Sequence, residues 1–246
     1  MNESYLIETV CCHTLSARDL VPGMVVLDLG ANRGEFSRTM ADRYAARCYA
    51  VEASPAVFAV LEETAQVRKF HYAVWSKVQD LTFHLSGNSE CSSLHEIPAE
   101  SPVGQVTVPG IDLDTLVRRH ALPPVDLLKV DIEGAEIEAL AAASDRLLAG
   151  ITQITVEFHD FNGQVDGKAI RATRKRLESL GFLCLRFSLR DHCNTLFLNR
   201  AHSRTTYVER LRLRALPYAL GALRALGLPA GRLTPASGDA PVSASR

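Results

Sequence analysis

From Pro22 to Asn199, short apolar runs rich in Val, Ile, Leu and aromatic residues alternate with longer stretches whose apolar positions recur at helical spacing. This alternation predicts an α/β fold with a mostly parallel sheet and helices on both faces, because parallel neighbours need a crossover long enough to hold a helix. Strands are expected at 24–29, 47–52, 69–74, 125–131, 151–158, 182–188 and 194–199. Helices are expected after Gly34, after Ser54-Pro55, after Gly134 and after Asp166. Ser54 offers a side-chain acceptor to the orphan N–H groups of a first turn, Pro55 suits the first helical position, and Gly181 is placed to end the last helix. The final two apolar runs, FLCLRFSL and NTLFLNR, are separated only by RDHC, which leaves no room for a helix. They should form an antiparallel hairpin.

The segments around this core read differently. Residues 79–120 form an insert between the third and fourth strands, with one extra strand predicted from the Leu81/Phe83/Leu85 alternation and a mobile loop from its Gly/Ser/Pro-rich middle. Three units follow: an N-terminal helical segment at 1–21, a core domain at 22–200, and a basic tail at 201–246. In the tail, seven Arg face only Glu209 and Asp239, and Val208, Leu211, Ala215, Ala219, Leu223 and Leu226 recur at helical spacing, with Pro217 expected to kink the helix. The Pro-, Ala-, Gly- and Ser-rich remainder should be disordered.

Composition narrows the function without naming it. The net charge of −1 gives no global electrostatic case for nucleic acid. Six cysteines lack paired C-x-x-C spacing, which fits neither zinc ligation nor a disulfide framework, and the first residues lack the apolar core of a signal peptide. A reduced cytoplasm is the expected setting. Arg204, Arg210, Arg212, Arg214 and Arg224 add a peripheral membrane or subunit contact as a further reading, with a solvated helix packed on the core as the favoured alternative.

Chemistry concentrates at the predicted carboxyl ends of the strands, where open α/β sheets bind ligands. In DLGANRGEF, an apolar strand ends in Asp28 and turns through Gly30, Ala31, Asn32 and Gly34 into a helix that begins near Phe36. A dinucleotide fingerprint would place glycine at Asn32 to admit a pyrophosphate. Asp28 and the wider Gly30/Gly34 pair instead suit a cofactor with an ammonium group to satisfy and no phosphate, such as S-adenosyl-L-methionine. Glu52 ends the next strand and is placed to accept hydrogen bonds from both ribose hydroxyls, while Ala73 and Val74 could border the adenine. A sheet that finishes in an antiparallel hairpin also separates methyltransferases from dehydrogenases.

The second charged set is Lys129, Asp131 and Glu133 at the end of VDLLKV, joined by Glu157 and His159 on the following strand. Asp131 is the first candidate to orient or deprotonate a substrate hydroxyl, with His159 second. These carboxylates and His159 could alternatively hold a divalent metal, but direct binding of substrate hydroxyls is favoured and no metal is assigned. The other histidines, His13 among them, show no ligand spacing and read as surface or loop residues.

Together DLGANRGEF, VEASP, HYAVWS, GNSECSSL, IDLDTL, LLKVDIEGAE and TVEFHD resemble the FkbM family of S-adenosylmethionine-dependent methyltransferases over roughly residues 22–200. KVDIEGAE is the most specific part. The resemblance implies a class I methyltransferase Rossmann-like fold and O-methylation of a hydroxyl on a sugar, glycan or polyketide-type small molecule. It carries over Asp28, Gly30, Asn32, Gly34 and Glu52 as cofactor contacts, and Lys129, Asp131, Glu133 and Glu157 as residues of the reaction cleft. N-methylation, or cofactor binding without catalysis in a biosynthetic complex, stays open.

Overall fold

The computed structural model describes residues 6–85, 104–160, 165–188 and 191–225. The chain opens with a hairpin, β1 (Ile7–Val10) and β2 (His13–Ser16), before the first βα units β3 (Val25–Leu29), α1 (Glu35–Tyr44), β4 (Arg47–Glu52) and α2 (Pro55–Val60). After β5 (Val67–His71) come three strands of a small side sheet, β6 (Ala73–Val74), β7 (Gln79–Leu85) and β8 (Gly104–Ile111), and then α3 (Leu113–Arg119). The second half runs β9 (Leu127–Val130), α4 (Glu136–Ala142), α5 (Asp145–Ala149), β10 (Gln153–Val156) and α6 (Gly167–Ser179). It closes with β11 (Phe182–Arg186), β12 (Thr195–Asn199) and α7 (Tyr207–Ala225).

The main sheet has seven strands in the order β11-β12-β10-β9-β3-β4-β5. The pairs from β10 through β5 are parallel, and β12 is antiparallel to both β10 and β11, so the terminal hairpin forms one edge of the sheet with β12 inserted between β10 and the edge strand β11. The chain builds outward from β3 to β5 and then returns to place β9 on the other side of β3. Ligands bind at such a reversal, beyond the strand carboxyl ends. On one face Val25, Leu27, Leu29, Leu128, Val130, Ile154 and Val156 bury against α3–α6. On the other, Val26, Ala50 and Leu127 meet Phe36 and Met40 of α1 together with Val10 and Leu15 of the hairpin. Two caps form as their sequences dictate: Ser54 Oγ accepts the Val57 N–H, and Asp166 starts α6, beyond whose end Gly181 takes φ +97°.

Three expectations need correction. Residues 7–16 are a β-hairpin followed by a short 3-10 turn at Ala17–Asp19, not a helical segment. Cys11 and Cys12 make its two-residue turn, with φ of +44° and +66°, as a type I′ hairpin requires. The run 69–74 is not one strand, since the Tyr72 N–H bonds the Glu52 carbonyl and Ala73–Val74 leave the main sheet to pair with β8. The insert supplies two strands rather than one, while the loop expected in its middle lies outside the described residues. Pro217 sits within α7, which runs through it from Tyr207 to Ala225, and the tail beyond lies outside the described residues.

Candidate active site

The turn after β3 is built by close approach. A Cβ on Gly30 (φ +72°) would stand 1.7 Å from the Asp131 carbonyl oxygen, so only glycine lets the ends of β3 and β9 meet. Gly34, at φ +80°, is the N-cap of α1. The Gly30 and Ala31 N–H groups both donate to the Val51 carbonyl, at 2.9 and 3.0 Å, tying this turn to the end of β4. Glu52 completes the tie: its carboxylate accepts the Asn32 N–H at 2.9 Å and the Ser54 N–H at 2.8 Å. Burial raises the Glu52 pKa, opposed by these amide bonds.

Beside the turn lies a cavity of about 240 Å³. Gly30, Ala31, Asn32 and Phe36 form one wall, and Glu52, Val57, Tyr72, Ala73, Val74 and Phe83 form the apolar remainder with one carboxylate in it. His13, Lys129, Asp131 and Glu133 close its far end. The residues fit an adenosyl group, because Glu52 shares the wall with a groove of small and aromatic side chains. Each of its oxygens, held by one amide, keeps a lone pair for a ribose hydroxyl.

Asp28 does not line this cavity, which corrects its assignment as a cofactor contact. It is wholly buried, with Ser37 Oγ donating to Oδ2 at 2.7 Å and Lys129 Nζ 3.2 Å from Oδ1. The register explains the pairing, since Asp28 and Lys129 are direct neighbours across β3 and β9. A side chain that alternates away from the apolar face of a central strand points under α1, not into the crevice.

Lys129 is the hub beneath the site. Its ammonium donates to the carbonyls of Leu29 and Gly30 at 3.3 and 2.7 Å and lies 3.4 Å from Asp131 Oδ2. Burial alone would lower its pKa, but Asp28 and Asp131 overcome this and hold it above the usual lysine range. Asp131 is only 26% exposed, and burial would raise it, yet Lys129, His13 and His159 keep its carboxyl well below the usual carboxylate range.

Glu136, wholly buried at the start of α4, organises the other flank. It accepts the N–H groups of Ile132 and Gly134 and pairs with His159 Nδ1 at 2.8 Å. His159 Nε2 then lies 3.3 Å from Glu133 and 3.8 Å from Asp131. Burial disfavours its cation, but Glu133 and Glu136 outweigh that and push the imidazole up to about 11. Glu157 moves with its crowding: burial and then the Asp131 charge raise its carboxyl to about 7. Neither His159 nor Glu157 reaches the cavity wall, so they stand behind Asp131 and Glu133.

His13 is the residue that sequence reasoning misplaced. The hairpin lays it over β10, 2% exposed, with Nδ1 3.4 Å from Thr155 Oγ1 and Nε2 3.5 Å from Asp131 Oδ2. The Phe36 ring meets it edge-on at 5.6 Å. Among the described residues, two groups could gather a cation, His13 with Asp131 and Glu157, and Asp131 with Glu133 and His159, the ligand atoms of each lying within 4.8 Å of one another. A protonated His159 with both nitrogens on carboxylates is a poor ligand, and metal binding is not favoured.

Residues 28–184 match the methyltransferase FkbM domain. The chain belongs to that family. The family is one of S-adenosylmethionine-dependent methyltransferases, and the strand order with a terminal antiparallel hairpin is the class I Rossmann-like arrangement. It is 28% identical over 140 residues to the hexuronic acid methyltransferase AglP of Haloferax volcanii, covering 55% of this chain and 56% of that protein. Over 215 residues it is 27% identical to the AMB antimetabolite synthetase AmbE of Pseudomonas aeruginosa, covering 69% of this chain and 10% of that protein. The chain thus spans about half the length of one relative and about a tenth of the other. Among solved structures it is similar to human methyltransferase-like protein 13 in complex with SAH, with 15% identity, 87% and 86% of the two chains covered and a TM-score of 0.45. It is also similar to M. capricolum TrmK bound to S-adenosyl-homocysteine, with 12% identity, 86% of each chain and a TM-score of 0.42.

Proposed function

We propose that the protein transfers the methyl group of S-adenosylmethionine to a hydroxyl of a sugar, glycan or polyketide-type small molecule. The observation that carries this reading is the cavity itself, walled by Glu52 at one end and by the solvent-reaching carboxylate of Asp131 at the other. AglP, named for methylation of a hexuronic acid, supports a sugar-like acceptor. In this reading the cofactor, when bound, would supply an activated methyl group for the acceptor oxygen and leave as S-adenosylhomocysteine. Glu52 would hold the ribose, and the apolar wall at Tyr72–Val74 and Phe83 would exclude water from the base.

Asp131 receives the acceptor hydroxyl. Lys129, His13 and His159 favour its ionised form, so its resting state at neutral pH is a hydrogen-bond acceptor that aims an oxygen lone pair and holds a proton only in passing. A carboxyl held that low binds a proton weakly, and His159 is already a cation, which makes it a positioning residue rather than the base. Glu157 has the proton affinity suited to neutral pH and lies beside Asp131, so the hydroxyl proton passes through Asp131 to Glu157 and then to water. The test is release of S-adenosylhomocysteine with panels of sugars, uronic acids and polyketide alcohols, with the product mass read alongside. Asp131→Asn should retain cofactor affinity and lose turnover by roughly 10²–10⁴-fold. Cofactor binding without turnover on every hydroxyl acceptor, or turnover only on amines, would overturn the proposal.

A further inference from the structure

Helix α7 is two-sided. Glu209, Leu213 and Leu216 are buried, the two leucines against Leu183, Leu185, Leu196 and Leu198 of the terminal hairpin. The opposite side should be polar if the helix only covers the sheet. It is not, because four of the six exposed large hydrophobic residues among the described residues lie there: Tyr207 at 75%, Val208 at 55%, Leu211 at 47% and Tyr218 at 77%. At about 100° per residue these four, with exposed Ala215 and Ala219, occupy one arc of roughly 120°. Exposed Arg212 flanks one margin of that arc and exposed Arg214 the other, with exposed Arg204 just before the helix. The one acidic residue of α7, Glu209, is turned inward and held by Arg18 at 2.7 Å.

We infer that α7 docks the protein peripherally on an anionic lipid surface, with the Tyr207–Leu211–Tyr218 stripe at the headgroup boundary and Arg212 and Arg214 on lipid phosphates. An apolar stripe bordered by arginines is the arrangement that an interfacial helix needs, and tyrosine suits a boundary that is apolar on one side and wet on the other. No described helix is long and apolar enough to cross a membrane, so the contact is peripheral. A second copy is the poorer occupant. A two-fold contact would set this stripe and its arginines against their own image, with no carboxylate on the outward side of α7 to pair them.

The full chain is sedimented with vesicles of phosphatidylcholine and with vesicles enriched in phosphatidylglycerol. Binding to the anionic vesicles alone is expected, weakening as salt is raised. Arg212→Glu with Arg214→Glu, and independently Leu211→Glu with Tyr218→Glu, should each lower the bound fraction about tenfold or more while the thermal melt stays unchanged, since these side chains leave the core intact. Equal recovery in the supernatant with both vesicles overturns the inference. So does undiminished binding by both double variants, and a dimer in sedimentation velocity that Leu211→Glu disperses assigns the face to a second copy instead.

Discussion

At the scale of single residues, Glu52 separates binding from chemistry. It touches the cofactor turn through Asn32 and the start of α2 through Ser54, and it reaches neither Asp131 nor Lys129 by hydrogen bond. Replacing it by Gln keeps an oxygen for one amide and turns a ribose acceptor into a donor, whereas Ala leaves both amides without a partner. Cofactor affinity measured by calorimetry should therefore fall for Glu52→Gln by about 1–2 kcal/mol and further for Glu52→Ala, with little change in turnover at saturating cofactor. An unchanged dissociation constant for both variants would remove Glu52 from the cofactor site. Asp28 shows why reading a strand-end carboxylate as a contact is unsafe. The same sequence position serves a ligand or an internal cation according to which way the strand's pleat turns it, and here the register delivers it to Lys129.

At the scale of elements, the mostly parallel seven-stranded sheet with its terminal hairpin was legible because its strands are largely apolar and several of its crossovers carry clear caps. The parts that were not legible share a physical cause. β8 contains Pro109 and Gly110, residues that weaken any strand assignment, yet Pro109 is exposed and a Cβ on Gly110 would stand 2.6 Å from the Gln79 carbonyl oxygen. The hairpin was hidden because its I′ turn uses Cys11-Cys12 where Asn-Gly would announce it, and the placement of His13 follows from that turn alone. The left-handed backbone gives a direct test at exposed Cys12. Cys12→Gly should preserve or slightly raise the melting temperature, and Cys12→Pro, which fixes φ near the opposite sign, should cost on the order of 2–3 kcal/mol. For a chain of this size that corresponds to roughly 4–12 °C between the two. Equal melting temperatures would show that the turn does not hold the hairpin against the sheet.

At the scale of the whole molecule, the site is a charge cluster that must be folded together, and its pH dependence has a definite sign. Asp131 has its pKa lowered on folding, so its contribution is present above the ordinary aspartate range and is lost as acid is added. His159 rises from 6.5 to about 11, so its contribution is full below pH 6.5 and declines towards 11. Glu157 rises from 4.5 to about 7, so the fold carries no penalty from it below pH 4.5, a growing one up to pH 7 and the full one beyond. The last two act in the same direction, so the melting temperature should fall between pH 6 and pH 9. Glu157→Gln removes one of the two penalties. Allowing for the water that reaches its carboxylate, the variant should gain on the order of 1–2 kcal/mol at pH 8 and almost nothing at pH 4.5. On the proposed proton path the same substitution removes the final acceptor, so a protein that melts higher at pH 8 should turn over more slowly, and the rise of activity with pH centred near 7 should disappear. Equal changes in melting temperature at both pH values would show that Glu157 is not the group under strain, and unaltered turnover would take it out of the proton path. The opposition of the two effects is what distinguishes a carboxylate kept for chemistry from one that merely fills the cleft.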